Sequence, residues 1–297
     1  MKALAKKIVY GTLDLLPLPA AITAEFFRYH RYLPKISAPR SFSEFVQHRK
    51  LYEHDARFPT YADKVAVKDI VAQALGSEWV IPTIWHGKSL PDRPDWPIPY
   101  VLKANHASGW NYFVRQAGDI DWDEMRRQTA KWLETPWHPR LGESYYNQID
   151  RQLLVEPILG DPTKSLPDYK FFVFGGRALY VQVDTDRMTD SEHKRSFYDR
   201  DWVLQPFYLK YPIDRRPHPR PAHFDAMLSA VEKVAAPFPF ARVDLYDLPS
   251  GPKFGEITFC PGAGYERFTP VEMDFTLGKL WNDARGRTAA VPSGARA

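Results

Sequence analysis

A chain of 297 residues with 44% hydrophobic and 26% charged residues has the composition of a folded protein with a sizeable core, which excludes wholesale disorder. Its net charge of +4 is uneven: residues 1 to 50 hold nine Lys or Arg against three acids, and the remainder is slightly acidic, which is not the pattern of a nucleic-acid binder. The single cysteine, Cys260, excludes a disulfide framework and fits a reducing, cytoplasmic compartment, and no Cys/His spacing suits a structural zinc.

The chain opens with MKALAKKIVYGTLDLLPLPAAITAEFF, basic at its start and apolar in its middle. Asp14, Pro17 and Pro19 break the apolar run too often for a membrane span. Residues 1–40 are therefore expected to form a helical arm. It either packs on the body or rests on an anionic membrane, at the inner face of the cytoplasmic membrane.

SFSEFVQHRKLY carries Ser41 three residues before Glu44, a capping-box pattern that opens a helix. YADKVAVKDIVAQALG reads as a second helix, stopped by Gly76. WVIPTIW and PYVLKA are expected strands, and a helix is expected over 121–134. QLLVEPIL, YKFFVFGG and RALYVQVD are further strands, the last two joined at Gly175-Gly176 as a hairpin. AHFDAMLSAVEKVAA is a helix, and small, polar residues from 284 to 297 read as a disordered tail. Without regular βαβ alternation the class is α+β, with lobes at 41–155 and 156–283.

In FARVDLYDLPSGPKFGEITFCPGAG, two apolar-rich segments flank Pro249, Ser250 and Gly251. The pattern predicts a hairpin with a loop of three to five residues, pairing Asp244 with Glu256 and Arg242 with Thr258. Arg242, Asp244, Tyr246, Phe254, Glu256 and Thr258 then share one face, while Val243, Leu245, Ile257 and Phe259 point to the core. Two opposed acids repel, so a positive charge is expected between them. Arg242 as a structural ion pair and a hard cation such as Mg²⁺ both satisfy that requirement.

Lys103 ends the apolar strand YVLKA, before a loop in which Ala107, Ser108 and Gly109 can turn backbone N–H groups toward phosphates. Buried, its ammonium needs an anionic partner; at a strand end it can also snorkel to water. Lys170 shares a face with Asp168, and Lys64 is expected at a helix start, where a cation opposes the macrodipole unless an anion is near. Glu156 ends a strand next to Pro157, which predicts an edge or hinge whose backbone can pair with a planar ligand.

These segments together resemble a known family. HDARFPTYADK, VLKANHASGWN, LPDYKFFVFGG, FARVDLYDL and FGEITFCPGAG are similar, in this order over residues 40 to 280, to the TupA-like branch of the ATP-grasp fold, named for teichuronopeptide synthesis. The resemblance implies two α/β lobes with ATP between them and a carboxylate–amine ligase working through an acyl phosphate. It implies that Lys64 and Lys103 hold ATP phosphates, and that Glu156 takes the ribose or adenine side beside the backbone of Pro157, Ile158 and Leu159. Asp244 and Glu256 match the magnesium-binding acids, and Arg242 matches the arginine that stabilises the transferring phosphoryl group. The sequence departs at Thr258, where many such enzymes carry Asn. Ser108, Gly109 and Lys170 join the nucleotide contacts, and Lys103 joins Arg242 as catalytic. The substrates implied are uronic or amino acids of cell-surface polysaccharide assembly.

His54, Asp55 and Arg57 form a polar cluster that, with Arg187, reads as acceptor contacts or as a surface salt-bridge set. Two rivals come from other classes. A glycosyltransferase would use Asp184-Thr185-Asp186 as a D-x-D metal site, and a silent carbohydrate-binding protein would use the abundant Trp and Tyr for stacking. Cys260 follows Phe259 directly and reads as a small buried residue, not as a nucleophile.

Overall fold

A computed structural model describes residues 13, 15–137, 141–163, 166–185, 193–216 and 218–289. Helix α1 (Leu18–His30) buries Ile22, Phe26 and His30, spaced four apart, and stops where Arg31 turns left-handed at φ 66. Helix α2 (Phe42–Tyr52) opens with the expected capping box: Ser41 Oγ accepts from the Glu44 N–H, and the Glu44 carboxylate accepts from the Ser41 N–H. The helix expected over 61–76 is two pieces, α3 (Phe58–Ala62) and α4 (Val67–Leu75). Asp63 makes the break, because its carboxylate takes the Val65 N–H at 2.8 Å and offers the backbone a turn in place of a helix. Lys64 therefore sits in a joint between two helices, not at a helix start.

Strands β1 (Trp85–Gly87), β2 (Tyr100–Ala104), β3 (Asn111–Val114) and β4 (Leu153–Pro157) form an antiparallel sheet in the order β1-β4-β2-β3. Only the end of WVIPTIW is a strand; Val80 makes an isolated bridge to Phe254 instead. Helix α5 (Trp122–Glu134), capped by Asp121, packs Met125 against Leu102 and Val155 in a small core of its own. β4 is an inner strand, not the expected edge: Pro157 is accommodated because it is the last residue, past the end of β1.

The larger sheet contains β5 (Asp168–Phe174), β6 (Arg177–Thr185), β7 (Lys194–Tyr198), β9 (Phe240–Leu248) and β10 (Gly251–Thr258), in the order β10-β9-β5-β6-β7. Helices cover both of its faces, which is why β5 reads as an uninterrupted apolar run. Helix α6 (Phe224–Ala235) stacks Phe224 on Phe171. On the other face Phe42 of α2 and Trp281 of α7 (Glu272–Ala289) meet Phe240 at 4.9 and 4.4 Å between ring centres. A short pair, β8 (Tyr208–Leu209) with β11 (Phe268–Thr269), completes this half.

Two expectations are corrected here. Residues 284–289 belong to α7, since Leu277, Trp281 and Ala284 form a buried stripe; residues 290–297 lie outside the described ones. Residues 42–71 contribute Phe42, Phe45, Val46, Phe58 and Val71 to the core of the larger sheet, although they precede the smaller lobe in the chain.

Candidate functional site

The hairpin β9–β10 pairs Asp244 with Glu256 and Arg242 with Thr258, as the sequence predicts. The turn is tighter than expected, with Leu248 paired directly to Gly251 across Pro249 and Ser250. A bulge at Gly255 absorbs the difference. A Cβ there would meet the Asp244 carbonyl oxygen at 3.1 Å, so the residue that shifts the register is one with no side chain. The bulge also moves Phe254 onto the core face opposite Leu245, which corrects its expected place beside Glu256.

Cross-strand neighbours extend the polar face into a row running Glu256, Asp244, Lys170 and Gln182 over four strands. Arg242 donates to both oxygens of Asp244 at 2.7 and 2.8 Å, and more loosely to Glu256 at 3.3 Å and to Thr258 at 3.1 Å. Lys170 bridges Asp244, at 2.5 Å, and Asp168. Burial raises the pKa of the Asp244 carboxyl, against the opposing pull of the bidentate Arg242 guanidinium and the Lys170 ammonium. Burial also pushes Glu256 up, but Lys64, Arg242 and Lys170 outweigh it and hold the group down at about 2.

Lys170 is thus a buried counter-charge to Asp244 and Asp168, and it does not line the cavity. Glu256 is different. Its carboxylate, 31% exposed, meets Lys64 only at 3.9 Å and stands on the wall of a cavity of about 890 Å³, together with Arg242, Thr258 and Ser108.

The oxygens present fit a hard divalent cation. Carboxylates of Glu256 and Asp244 and the Thr258 hydroxyl converge on one face, and the loose contacts of Glu256 leave it open to an ion entering from the cavity. Among the described residues no three His, Cys, Asp or Glu groups are already grouped as a metal site, so substrate oxygens would have to supply part of the shell.

A second cationic cluster lies on the smaller sheet. Lys103 and Lys68 clamp the two oxygens of Glu156 at 2.6 and 2.5 Å, and Glu156 is held low because these ammoniums outweigh its burial. Lys64 donates to the Ala107 carbonyl at 2.6 Å and so fastens the loop of Ser108 and Gly109. Two lysines on one buried acid, with Lys64 nearby and only loosely paired to Glu256 at 3.9 Å, leave positive charge that suits a polyphosphate. Burial lowers the pKa of both Lys64 and Lys68, and an arriving anion would offset that cost. Lys68 escaped the sequence reading, although its place four residues after Lys64 could have found it. The backbone predicted to meet adenine is partly engaged, since the Ile158 N–H donates to the Pro99 carbonyl at 3.1 Å. Pro157, Ile158 and Leu159 are half-buried beyond the end of β1.

Lys103→Ala is expected to weaken ATP binding tenfold or more, the scale of one charged hydrogen bond. Stability should change little, because Lys68 still pairs Glu156. Calorimetric titration with ATP together with a thermal melt checks both, and an unchanged affinity would remove Lys103 from the site.

Other candidates fall elsewhere. Arg57 forms an exposed pair with Asp55, at 2.9 and 2.5 Å, and its guanidinium lies over Phe238; exposed His54 does not line the cavity either. Of the two readings offered for them, the geometry is that of a surface set. Arg187 and Asp186 lie outside the described residues. Asp184, the first acid of the D-x-D, is buried against Arg195 at 2.6 Å, so its charge already has a counter-ion. Burial pushes the Cys260 thiol up to about 12, in keeping with a packing role.

In their place the cavity is lined by Lys210, Glu266 and Arg267 from the segment around β8 and β11, none of them foreseen. The signal that could have found them is PGAG immediately after the β9–β10 hairpin. Gly264 has φ +67, and a Cβ there would come within 2.8 Å of Val46, so this loop is pinned beneath α2 and turns the following residues into the cavity.

Two antiparallel sheets, one carrying Lys103 and Glu156 and the other carrying Arg242, Asp244 and Glu256, make up the fold of the ATP-grasp class of nucleotide-binding proteins. The chain belongs to the TupA-like ATP-grasp family, whose sequence pattern matches residues 44–282. No curated protein matches. Solved structures similar to it include the D-alanine–D-alanine ligase of Bacillus anthracis (13% identity, TM-score 0.42, covering 77% of this chain and 68% of that one). The D-alanine–D-alanine ligase of Helicobacter pylori is comparable (12%, 0.45, 82% and 67%). So is the ATP-grasp ligase PsnB complexed with minimal precursor (9%, 0.44, 77% and 62%). The chain spans about two thirds of the length of these structures.

Proposed function

We propose that the protein is a Mg-ATP-dependent carboxylate–amine ligase of cell-surface polysaccharide or teichuronopeptide-type biosynthesis, acting in the cytoplasm on uronic or amino acids. The observation that carries this reading is Glu256, Thr258 and Arg242 side by side on the cavity wall, within reach of the loop that Lys64 fastens. Lys64, Lys68 and Lys103 bind the phosphates from the side of the smaller sheet. Arg242, already charged and oriented by Asp244, meets the charge that develops on the γ-phosphoryl group as it passes to a substrate carboxylate. Magnesium, held by Glu256, Asp244 and Thr258, would neutralise phosphate oxygens. ADP leaves, the amine attacks the acyl phosphate with loss of a proton, and inorganic phosphate is released. Arg267 and Lys210 lie where they can receive the acceptor's carboxylate.

The test is incubation with Mg-ATP and a panel of uronic and amino acids, following ADP and new amide mass. ADP and a condensed product are expected with one pair. Release of no ADP with any acceptor, or of UDP from a nucleotide sugar, would overturn the assignment.

A further inference from the structure

Helix α1 has two working faces. Ala21, Glu25 and Tyr29 wall the cavity, and Ile22, Phe26 and His30 are buried beside them. On the opposite side of the helix Ala20, Ala24 and Phe27 follow one another at helical spacing and are all exposed, with exposed Leu16 just before the helix and exposed Arg31 just after it. Water-soluble surfaces seldom leave such a stripe uncovered. Half of the large exposed hydrophobic residues among the described ones fall between Leu15 and Leu33, with Leu15 at 83% and Leu33 at 68% exposure. The apolar surface is therefore concentrated on α1 and the residues that immediately flank it.

Charge decides what covers it. Exposed Arg31, Lys35 and Arg40 follow the helix, and Lys2, Lys6 and Lys7 precede it in the sequence. Only two acids occur in residues 1–40, and one of them, Glu25, is paired with Arg28 at 2.5 Å. A second copy of this chain would bring the same positive charge to the contact. Among the described residues no helix is long and apolar enough to cross a membrane, and α1, with 13 residues, is about 20 Å long. An apolar stripe flanked by cations on a helix of that length matches the geometry of a helix lying in the plane of a bilayer surface.

We propose that α1 docks the protein on an anionic lipid surface, with Leu16, Ala20, Ala24 and Phe27 at the boundary of headgroups and acyl chains and Arg31, Lys35 and Arg40 among the headgroups. The cavity then lies directly behind the membrane-facing helix. This proposal stands independently of the ligase reading, because binding can be measured without turnover.

The experiment is flotation of the full chain with vesicles of phosphatidylglycerol and phosphatidylcholine, set against pure phosphatidylcholine. The native protein should float with the anionic vesicles, much less with the neutral ones, and less as salt is raised. Leu16→Asp with Phe27→Asp should reduce partitioning roughly a hundredfold. Arg31→Glu or Lys35→Glu should each reduce it about fivefold. Circular dichroism confirms that the variants fold, and the lipid and salt arms use native protein alone. Absence of flotation, equal flotation with neutral vesicles, or folded Asp variants that float like the native chain would overturn the proposal. So would a native dimer that Phe27→Asp converts to monomer, since a second copy would then own the face.

Discussion

Glu256→Gln is expected to give a folded protein whose Mg-ATP-dependent ADP release falls by about two to three orders of magnitude, the scale of losing one charge-stabilising group at a reacting phosphoryl. The amide keeps an oxygen to accept from Arg242 and Thr258, whose contacts with Glu256 are long, at 3.3 Å each, so packing is little disturbed. What disappears is the negative charge that a divalent cation would need at the cavity wall. The acid limb supplies a second readout. Glu256 is held at about 2, below its ordinary 4.5, so its stabilisation is complete above about pH 4.5 and lost as pH falls toward 2. The variant should lack that part of the native acid-unfolding curve. ADP release within tenfold of native would remove Glu256 from the reaction.

Asp244→Asn should behave in the opposite way, as a stability variant first. Reasoning from two opposed acids alone, neutralisation relieves repulsion and stabilises. In the folded protein Asp244 is instead the shared partner of buried Lys170 and half-buried Arg242. Removing its charge leaves buried Lys170 and half-buried Arg242 under-compensated, a class of change that costs about 3–5 kcal/mol. The apo melting temperature should fall on the order of 10 °C. Adding Lys170→Met should recover part of that loss, because the groups are coupled through a single contact. A melting temperature within about 2 °C of native would show that the carboxylate is not the anchor of this row. Used together, the two variants separate acids that the sequence assigns equally: Glu256 serves the ligand alone, whereas Asp244 also holds the scaffold that orients Arg242.

Local patterns determined much of this protein. Ser41 and Glu44 fixed the start of α2, Gly175-Gly176 fixed the β5–β6 turn, and alternation across Pro249 to Gly251 set Asp244 opposite Glu256, because capping, turn chemistry and strand period are decided within a few residues. The ordered motifs were specific enough to give the family. Tertiary structure decided what depends on distant partners. Whether a lysine is a ligand or a counter-ion is set by what faces it across the fold: Lys170 lies between two acids 2 and 74 residues away, while Lys68 and Lys103 share Glu156 from two different elements. The bulge at Gly255 moved Phe254 to the core, and the stripe Leu277, Trp281 and Ala284 is buried where Trp281 stacks on Phe45 of α2. The cavity's Lys210, Glu266 and Arg267 and the two faces of α1 come from segments more than 170 residues apart in the chain, brought to one wall by a core that local sequence does not encode.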